Sequence, residues 1–302
     1  MEVSELALGT WGLSGDAYGP MIFAEVDRVI DKAISCGITL FDTADVYGRG
    51  DMEKKLAERL PKDDTCVVTK VGTDLESKPP KKRFEPSYLR DALLRSRDRL
   101  GREPLDIVLL HNPTERAFVE NDTVEFMKEA VADGFVRAWG ASIGSVAVGT
   151  AAIRAGAQVL ELPYNAFMPS DLHQLSPEIT RSGVGILARS VLAHGLLTGH
   201  WSADREFDEG DHRRDRWTRN ELALRIGQLD ALRPTVRDDI PNLRSVALRF
   251  VLSNQLVSAA VLGPRSVFQL EALVREAGAP PYLKDTAMVE LAARLAAAGL
   301  DV

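Results

Sequence analysis

Short apolar runs alternate with longer amphipathic segments along most of the chain. The apolar runs are rich in β-branched residues, which is typical of strands buried in a parallel sheet. The predicted strands are ELALGT, ITLFDTA, CVVTKVG, DIVLLHNP, VRAWGAS, VLELPYN, GVGILARS and VSAAVLGP. The segments with helical period, several of which end on glycine, include 23–37, 51–60, 86–101, 123–134, 243–254, 266–278 and 285–299.

This alternation predicts right-handed βαβ units and a parallel sheet. Eight such units in roughly 250 residues correspond to a (β/α)₈ TIM barrel, an eight-stranded parallel barrel with outer helices. A doubly wound open sheet is the alternative architecture. No shift in composition marks a linker, so the chain 1–302 is predicted to form a single barrel domain.

Two regions depart from the regular alternation. A long charged loop is expected at about 200–220, and an extra helix is expected at about 221–233. The loop leaves the carboxyl end of a strand, where barrel active sites form, so it is also a candidate lid. At the other end the chain begins almost at the first strand, so we expect the N-terminal hairpin to be short or missing, with no pair of strands before Leu6.

The composition argues against several classes of function. The chain is 45% hydrophobic and 27% charged, as in globular proteins, and its net charge of -7 argues against general nucleic-acid binding. No apolar run is long enough to span a membrane, and the N-terminus lacks the features of a signal peptide. Cys36 and Cys66 have no metal-binding or disulfide spacing. These features predict a cytoplasmic protein with reduced thiols, no metal site and no membrane partner; they leave the oligomeric state open.

Four chemically capable residues fall at the ends of neighbouring predicted strands. Asp42, Lys70 and His111 end the second, third and fourth strands, and Tyr47 lies in the loop just after Asp42. Singly, each could be a loop cap, a rim charge or a buried histidine. Because the carboxyl ends of all barrel strands meet on one face, the four together predict an active site there.

The chemistry of this quartet is that of proton donation to an oxygen. A lysine ammonium lowers the pKa of a nearby phenol, and an aspartate keeps the lysine charged and oriented. Histidine can position a substrate oxygen or relay its proton. A carbonyl being reduced to an alcohol needs such a donor. Since no nucleophile or metal cluster is evident, the hydride must come from a bound cofactor.

Seven ordered motifs carry a family resemblance: FDTADVYG, VVTKVG, LLHNP, GFVRAWGASIGS, LPYN, GLLTG and VLGPRSVFQLEAL. In order and setting the chain resembles the aldo-keto reductases over nearly its whole length. The resemblance implies an NADP(H)-dependent oxidoreductase that interconverts an aldehyde or ketone and its alcohol. It implies that Tyr47 is the general acid/base, that Lys70 and Asp42 tune it, and that His111 orients the carbonyl. Trp11, at the end of the first strand, is a candidate wall of the substrate pocket beside Tyr47 and His111.

The chain has no GxGxxG fingerprint, and the resemblance implies a nicotinamide nucleotide extended across the barrel mouth. Arg265, at the start of the last barrel helix, is expected to contact a 2′-phosphate, which favours NADP(H) and leaves NAD(H) as the alternative. The expected cofactor contacts are Thr10, Asp42, Ser142, Glu161, Arg189, Ser190, Leu192, Gly195, Leu197, Gly263, Arg265, Ser266 and Gln269.

Four positions differ from the commonest family pattern. Ile143 and Glu161 replace amide side chains, and a carboxylate can accept from a carboxamide N–H₂ but cannot donate to its oxygen. Arg189 replaces an aromatic residue, for which a stacked guanidinium is a reasonable substitute. Leu273 replaces an asparagine near the adenine, which predicts altered adenine recognition.

Two other functions stay open. GASIG, residues 140–144, matches G-x-S-x-G, so Ser142 could be the nucleophile of a serine hydrolase with Asp204 and His212. His212 is otherwise interpreted as an ordinary loop residue. Alternatively, the barrel could bind a nicotinamide nucleotide as a sensor or partner subunit with little turnover.

Overall fold

The computed structural model describes residues 1–120, 122–237 and 239–301. Eight parallel strands pair in chain order and close into a barrel, with the last strand beside the first and Leu6 opposite Ala260. This confirms the predicted (β/α)₈ barrel. The strands are β1 (Leu6–Gly9), β2 (Leu40–Asp42), β3 (Cys66–Val71), β4 (Leu105–His111), β5 (Val136–Ser142), β6 (Val159–Pro163), β7 (Gly185–Arg189) and β8 (Val257–Leu262).

Helices surround the barrel. One helix follows each of the first six strands, two lie between β7 and β8, and two follow β8. They are α1 (Phe23–Ser35), α2 (Asp51–Arg59), α3 (Pro86–Leu100), α4 (Thr123–Ala132), α5 (Val146–Ala155), α6 (Ser170–Ser182), α7 (Arg219–Gln228), α8 (Leu243–Leu252), α9 (Val267–Ala277) and α10 (Asp285–Ala297).

Side chains fill the inside of the barrel. Leu40, Val68, Leu109 and Leu187 are fully or almost fully buried and belong to one apolar cluster of strand residues, as expected for a packed core rather than a pore. Val3 packs against this cluster. As predicted, no hairpin precedes β1 in the part of the chain that the structure describes.

The charged segment at about 200–220 is irregular and folds back toward the start of the chain. Asp211 forms a β-bridge with Tyr18, and the His212 N–H donates to the Ala17 carbonyl at 2.9 Å. Helix α7 then begins with a capping box between Thr218 and Glu221. It ends at Gln228, short of the expected 233.

Two 3₁₀ turns, Leu229–Ala231 and Arg233–Thr235, replace the predicted continuation of α7. Gly227 weakens the end of the helix, and Pro234 has no N–H to donate to a further helical turn. No helix among the described residues is long and apolar enough to cross a membrane.

Gly140 in β5 packs closely against the start of β6, and we predict that Gly140→Ala destabilises the barrel. A Cβ there would lie 2.7 Å from the Val159 carbonyl carbon, so the β5–β6 pairing would have to shift. Forcing an added methyl into a packed site costs about 1–3 kcal/mol, which urea unfolding would measure. Gly144→Ala is the matched control, because no atom lies within 4 Å of its added Cβ. Equal stability of the two variants would contradict the prediction.

Candidate active site

The carboxyl ends of the strands carry the polar residues that the sequence singled out. Asp42, His111, Ser142 and Arg189 are the last residues of β2, β4, β5 and β7, and Lys70 is the second-last residue of β3. A cavity of about 900 Å³ opens at this end of the barrel. Its walls include these expected site residues: Trp11, Asp42, Tyr47, Lys70, His111, Ser142, Glu161, Arg189, Ser190, Leu192, Gly195, Gly263, Arg265 and Gln269.

Lys70 lies between two carboxylates at the bottom of the cavity. Its Nζ donates to Asp42 Oδ1 and to the Thr43 carbonyl at 3.1 Å, and it lies 3.3 Å from Glu161 Oε2. The Lys70 side chain is 1% exposed. Burial by itself lowers the pKa of Lys70, but Asp42 and Glu161 outweigh it and raise the pKa above its ordinary value. The ammonium is therefore charged at neutral pH.

The loop after β2 turns the Tyr47 ring toward this ammonium. Tyr47 starts a short 3₁₀ turn in which Gly48 and Arg49 adopt left-handed φ angles of 56° and 53°. The Gly48 N–H donates to Asp16 Oδ2 at 2.6 Å, which helps to hold the turn. Lys70 Nζ lies 5.3 Å from the centroid of the Tyr47 ring.

Two aromatic neighbours complete the surroundings of Tyr47. The His111 ring lies edge-on to it with centroids 6.1 Å apart, and Trp11 stacks on it at 6.5 Å. The structure therefore brings Tyr47, Lys70, His111 and Asp42 together.

The sequence-based expectation that Lys70 lowers the pKa of the phenol is wrong in its net direction. Burial raises the pKa of Tyr47 above its ordinary value; Lys70 opposes this effect, whereas Asp42 and Glu161 add to it. Burial of the phenol is the main reason, and the two carboxylates further offset the effect of the lysine charge. The phenol is protonated at neutral pH, which suits a proton donor.

His111 is neutral for a similar reason. Burial, followed by the charges of Lys70, Lys82 and Arg189, lowers the pKa of His111 well below its ordinary value. Lys82 Nζ also donates to the His111 carbonyl at 2.7 Å and so ties the end of β4 to the hairpin that follows β3. A neutral imidazole carries one N–H, which can be donated to an oxygen in the cavity.

Three buried polar atoms of cavity-lining residues have no hydrogen-bond partner among the described residues: His111 Nδ1, Glu161 Oε2 and Arg189 Nε. The last two are an acceptor and a donor. Arg189 is held by a hydrogen bond from Nη2 to the Ile143 carbonyl at 3.0 Å. A ligand group with both a donor and an acceptor would satisfy the two atoms, so this part of the wall is suited to an amide.

Three of the expected cofactor contacts do not line the cavity. Thr10 is fully buried and its Oγ1 donates to the Asp42 carbonyl at 2.9 Å. Leu197 is fully buried and packs into the hydrophobic core, because the turn Ala193–Thr198 directs it inward. The Ser266 hydroxyl accepts the Gln269 N–H and caps α9. The structure therefore places these three side chains outside the cavity walls, and a cofactor contact through them stays a prediction.

Arg265 lines the cavity but is already engaged. Its guanidinium donates to the carbonyls of Gly12, Tyr18, Gly19 and Pro20 at 2.7–3.2 Å. Four backbone acceptors thus hold the guanidinium against the segment before α1, and the predicted contact with a 2′-phosphate would have to replace at least one of them.

The first turn of α9 is also occupied. Glu25 Oε1 accepts the Val267 N–H at 3.2 Å, so a carboxylate from α1 lies at the helix start that was predicted to bind a phosphate. This hydrogen bond, followed by that from Arg28, lowers the pKa of Glu25 and keeps it ionised.

The charged loop and the segment after β1 form a second wall that was not predicted from the sequence. The His212 ring packs on Trp11 and on Tyr18 with centroids 4.7 Å apart in each case, so it is more than a loop residue. His194 lies 5.0 Å from His212, and Arg213 lies 4.7 Å from the Tyr18 ring. The aromatic residues Trp201, Phe207 and Trp217, spaced along a charged segment, were the available signal.

The serine hydrolase alternative finds no assembled triad. No hydrogen bond between described residues joins Ser142 to His212 or His212 to Asp204. His212 instead packs against Trp11, and its Nε2 is buried without a partner. Within the described part of the chain, no base is hydrogen-bonded to the Ser142 hydroxyl as activation of a nucleophile would require.

Comparison with known proteins shows related sequences over most of the chain. Aldo-keto reductase YhdN of Bacillus subtilis is 28% identical and matches 90% of this chain and 85% of its own. NADH-specific methylglyoxal reductase of Escherichia coli is 27% identical and matches 83% of this chain and 82% of its own.

Solved structures share the fold. Glycerol dehydrogenase AKR11B4 from Gluconobacter oxydans has a TM-score of 0.85 at 24% identity, over 99% of this chain and 94% of that one. The holo form of aldo-keto reductase AKR11C1 from Bacillus halodurans has a TM-score of 0.80 at 24% identity, over 97% and 92%. The sequence model of the aldo/keto reductase family matches residues 5–287. The chain therefore belongs to the aldo/keto reductase family.

Proposed function

We propose that this aldo-keto reductase uses NADP(H) to reduce a small aldehyde or ketone to its alcohol, with Tyr47 as the proton donor. The observation that carries the proposal is the meeting of Tyr47, Lys70, His111 and Asp42 in one cavity at the carboxyl ends of β2, β3 and β4. A protonated phenol, a charged ammonium and a neutral imidazole suit the reduction direction, in which the substrate oxygen gains a proton.

The cavity wall fits a nicotinamide. The carboxamide N–H₂ would donate to Glu161 Oε2, and its oxygen would accept from Arg189 Nε, which satisfies both unpartnered atoms. Ser142, also on the wall, offers a hydroxyl nearby. When bound, the reduced nicotinamide supplies the hydride for carbonyl reduction.

The protein's own groups act on the carbonyl oxygen. His111 donates its N–H to the oxygen and orients it, while Tyr47 donates its phenolic proton as negative charge develops there. Lys70 stabilises the phenolate that is left, and Asp42 keeps Lys70 in place through a buried ion pair. Trp11 forms the wall of the substrate pocket beside Tyr47.

The NADP(H) preference depends on Arg265 and on the first turn of α9. For a 2′-phosphate to bind here, Arg265 must exchange at least one backbone carbonyl for the phosphate, and Glu25 must give up the Val267 N–H. NAD(H) is the alternative, since it needs neither exchange. The name of the Escherichia coli relative states an NADH preference for that protein, so the choice has to be measured for this one.

We predict that Tyr47→Phe lowers kcat for aldehyde reduction by about 10²–10⁴-fold, the usual contribution of a positioned general acid. The measurement is NAD(P)H consumption across a panel of aliphatic and aromatic aldehydes, ketones, sugars and methylglyoxal. Cofactor binding, followed by tryptophan fluorescence, should persist because the ring is kept.

Tyr88→Phe is the matched control for this prediction. Tyr88 lies on α3 and packs beside Arg83 and Arg95, outside the cavity walls, so its hydroxyl should be dispensable. Equal rates for the parent and Tyr47→Phe would contradict the proposed chemistry. If neither the parent nor Tyr47→Phe reduced any compound of the panel but both bound the nucleotide, a sensor function would replace the proposed reductase function.

We predict opposite effects on cofactor choice from two substitutions. Arg265→Met should raise KM for NADPH by about 10- to 100-fold, as expected for a lost charge-assisted hydrogen bond, and change KM for NADH much less. Glu25→Gln should lower KM for NADPH, because it removes an anion from the start of α9.

Arg275→Met is the control, since this exposed α9 arginine lies 3.9 Å from Glu276 and outside the cavity. If both Arg265→Met and Glu25→Gln had the same ratio of KM values for NADPH and NADH as the parent, the result would contradict a 2′-phosphate site at Arg265 and the start of α9.

A further inference from the structure

The register of β6 and β7 places Arg189 nearer the cavity mouth than Glu161. Glu161 pairs with Leu187, which belongs to the apolar cluster inside the barrel. Since side chains alternate along a strand, Arg189 faces the same side as Leu187, two residues closer to the carboxyl end. Two residues span about 7 Å of strand. A ligand that enters the cavity therefore meets Arg189 above Glu161.

The positive charge of Arg189 has no carboxylate partner. Lys70, deeper in the barrel, donates to Asp42 and lies 3.3 Å from Glu161. The Arg189 guanidinium instead donates from Nη2 to the Ile143 carbonyl at 3.0 Å, and its buried Nε has no partner among the described residues. Because a guanidinium stays protonated in proteins, this is a fixed and unmatched positive charge.

The other charges at the bottom of the cavity do not cancel that of Arg189. Asp42 and Glu161 carry at most two negative charges, and they face two cations, Lys70 and Arg189. Burial, followed by the charge of Glu161, raises the pKa of Asp42 to about 7, which only lessens the negative charge. The phenol and the imidazole of the quartet are uncharged at neutral pH. The region around Arg189 is therefore not negative.

A charged donor at the carboxamide distinguishes the two oxidation states of a nicotinamide. The oxidised ring carries a positive charge, which it loses when it takes up a hydride. In the reduced ring the nitrogen lone pair is conjugated with the carboxamide, so the carboxamide oxygen carries more negative charge. A guanidinium that donates to this oxygen repels the oxidised ring and forms a stronger hydrogen bond with the reduced one.

We propose that the charge of Arg189 makes the cofactor site bind the reduced nicotinamide nucleotide more tightly than the oxidised one. The inference rests on the proposed function, in which the carboxamide oxygen accepts from Arg189 Nε. It concerns only the affinities for the two cofactor forms; the equilibrium between the carbonyl compound and the alcohol in solution is unaffected. The oxidised cofactor, a product of carbonyl reduction, is then a weak product inhibitor.

The test measures cofactor binding to the full chain in the absence of substrate. Isothermal titration calorimetry gives Kd for NADPH and for NADP⁺ in the parent and in Arg189→Gln, which keeps an N–H donor and removes the charge. We expect Kd for NADP⁺ to exceed Kd for NADPH in the parent, and the ratio to fall about tenfold in Arg189→Gln. If the parent binds NADH more tightly than NADPH, NADH and NAD⁺ are the pair compared.

The absorption of the bound cofactor shows whether the charge acts at the carboxamide. Near-ultraviolet excitation of the reduced nicotinamide moves electron density from the ring nitrogen toward the carboxamide. A positive charge at the carboxamide therefore lowers the energy of this transition. We expect the absorption band of bound NADPH to lie at a shorter wavelength in Arg189→Gln than in the parent. A band that does not move would overturn the assigned contact.

Arg181→Gln is the matched control, because Arg181 is exposed in the last turn of α6 and lies outside the cavity walls. Its Kd ratio and absorption band should equal those of the parent. If Arg189→Gln folds poorly by circular dichroism, Arg189→Met removes the same charge. An unchanged Kd ratio in the folded neutral variant would overturn the inference, even if both dissociation constants rose equally.

The inference and the proposed function fail separately, because the Kd ratio is measured without turnover. If Tyr47→Phe abolishes turnover while Arg189→Gln keeps the Kd ratio of the parent, the reductase function stands and the role of Arg189 falls. If Tyr47→Phe turns over like the parent, the proposed chemistry falls whatever the Kd ratio. If the parent binds neither form of either nucleotide, both fall.

Discussion

The buried ion pair between Lys70 and Asp42 is the interaction on which the candidate active site depends. Both side chains are almost fully buried, and taking two charges out of water costs several kcal/mol per ion, so the pair is weak evidence for stability. The ion pair does fix the relative position of β2 and β3, because it joins the carboxyl ends of these two strands at the barrel mouth. The Asp45 N–H continues the strand pairing by donating to the Lys70 carbonyl at 3.0 Å. The Tyr47 turn starts two residues later, so the position of the phenol follows from this pairing.

Closure of the barrel explains why distant residues share one cavity. Asp42 and Arg189 are far apart in sequence, but parallel strands in a closed barrel bring their carboxyl ends to one rim. The walls above the rim depend on two other contacts. Arg265 ties the start of α9 to the segment after β1, and His212 ties the charged loop to Trp11. The strand ends supply the chemical groups, and these connections shape the space above them.

The sequence was sufficient to predict the barrel and the grouping of Asp42, Tyr47, Lys70 and His111, because strand periodicity places Asp42, Lys70 and His111 at the carboxyl ends of neighbouring strands. It could not assign Arg265, whose partners are backbone carbonyls and leave no mark in the side-chain pattern. It also could not separate Leu192, on the cavity wall, from Leu197 in the core, since a short turn with left-handed residues lies between them. The predicted direction of the Tyr47 pKa shift was wrong, because the shift depends on burial of the phenol together with two carboxylates.

The stretch FDTADVYG contains two carboxylates, and only Asp42 reaches the cavity. Asp45 lies outside it, where burial, followed by the charge of Glu53, raises its pKa to about 7. Glu53 on α2 accepts from Thr69 Oγ1 at 2.6 Å and pairs with Arg99 of α3 at 3.1 Å, so this network ties two helices to β3.

Gly50 shows how that outer network reaches the phenol. It ends the Tyr47 turn with φ of 92°, and a Cβ there would come within 2.6 Å of the Arg99 Nε, so the guanidinium packs directly on the glycine backbone. Lys70 and Asp42 hold the turn from inside the barrel, and Arg99 and Glu53 hold it from outside. The Tyr47 ring is thus positioned from both sides, which suits the role of proton donor that we propose for it.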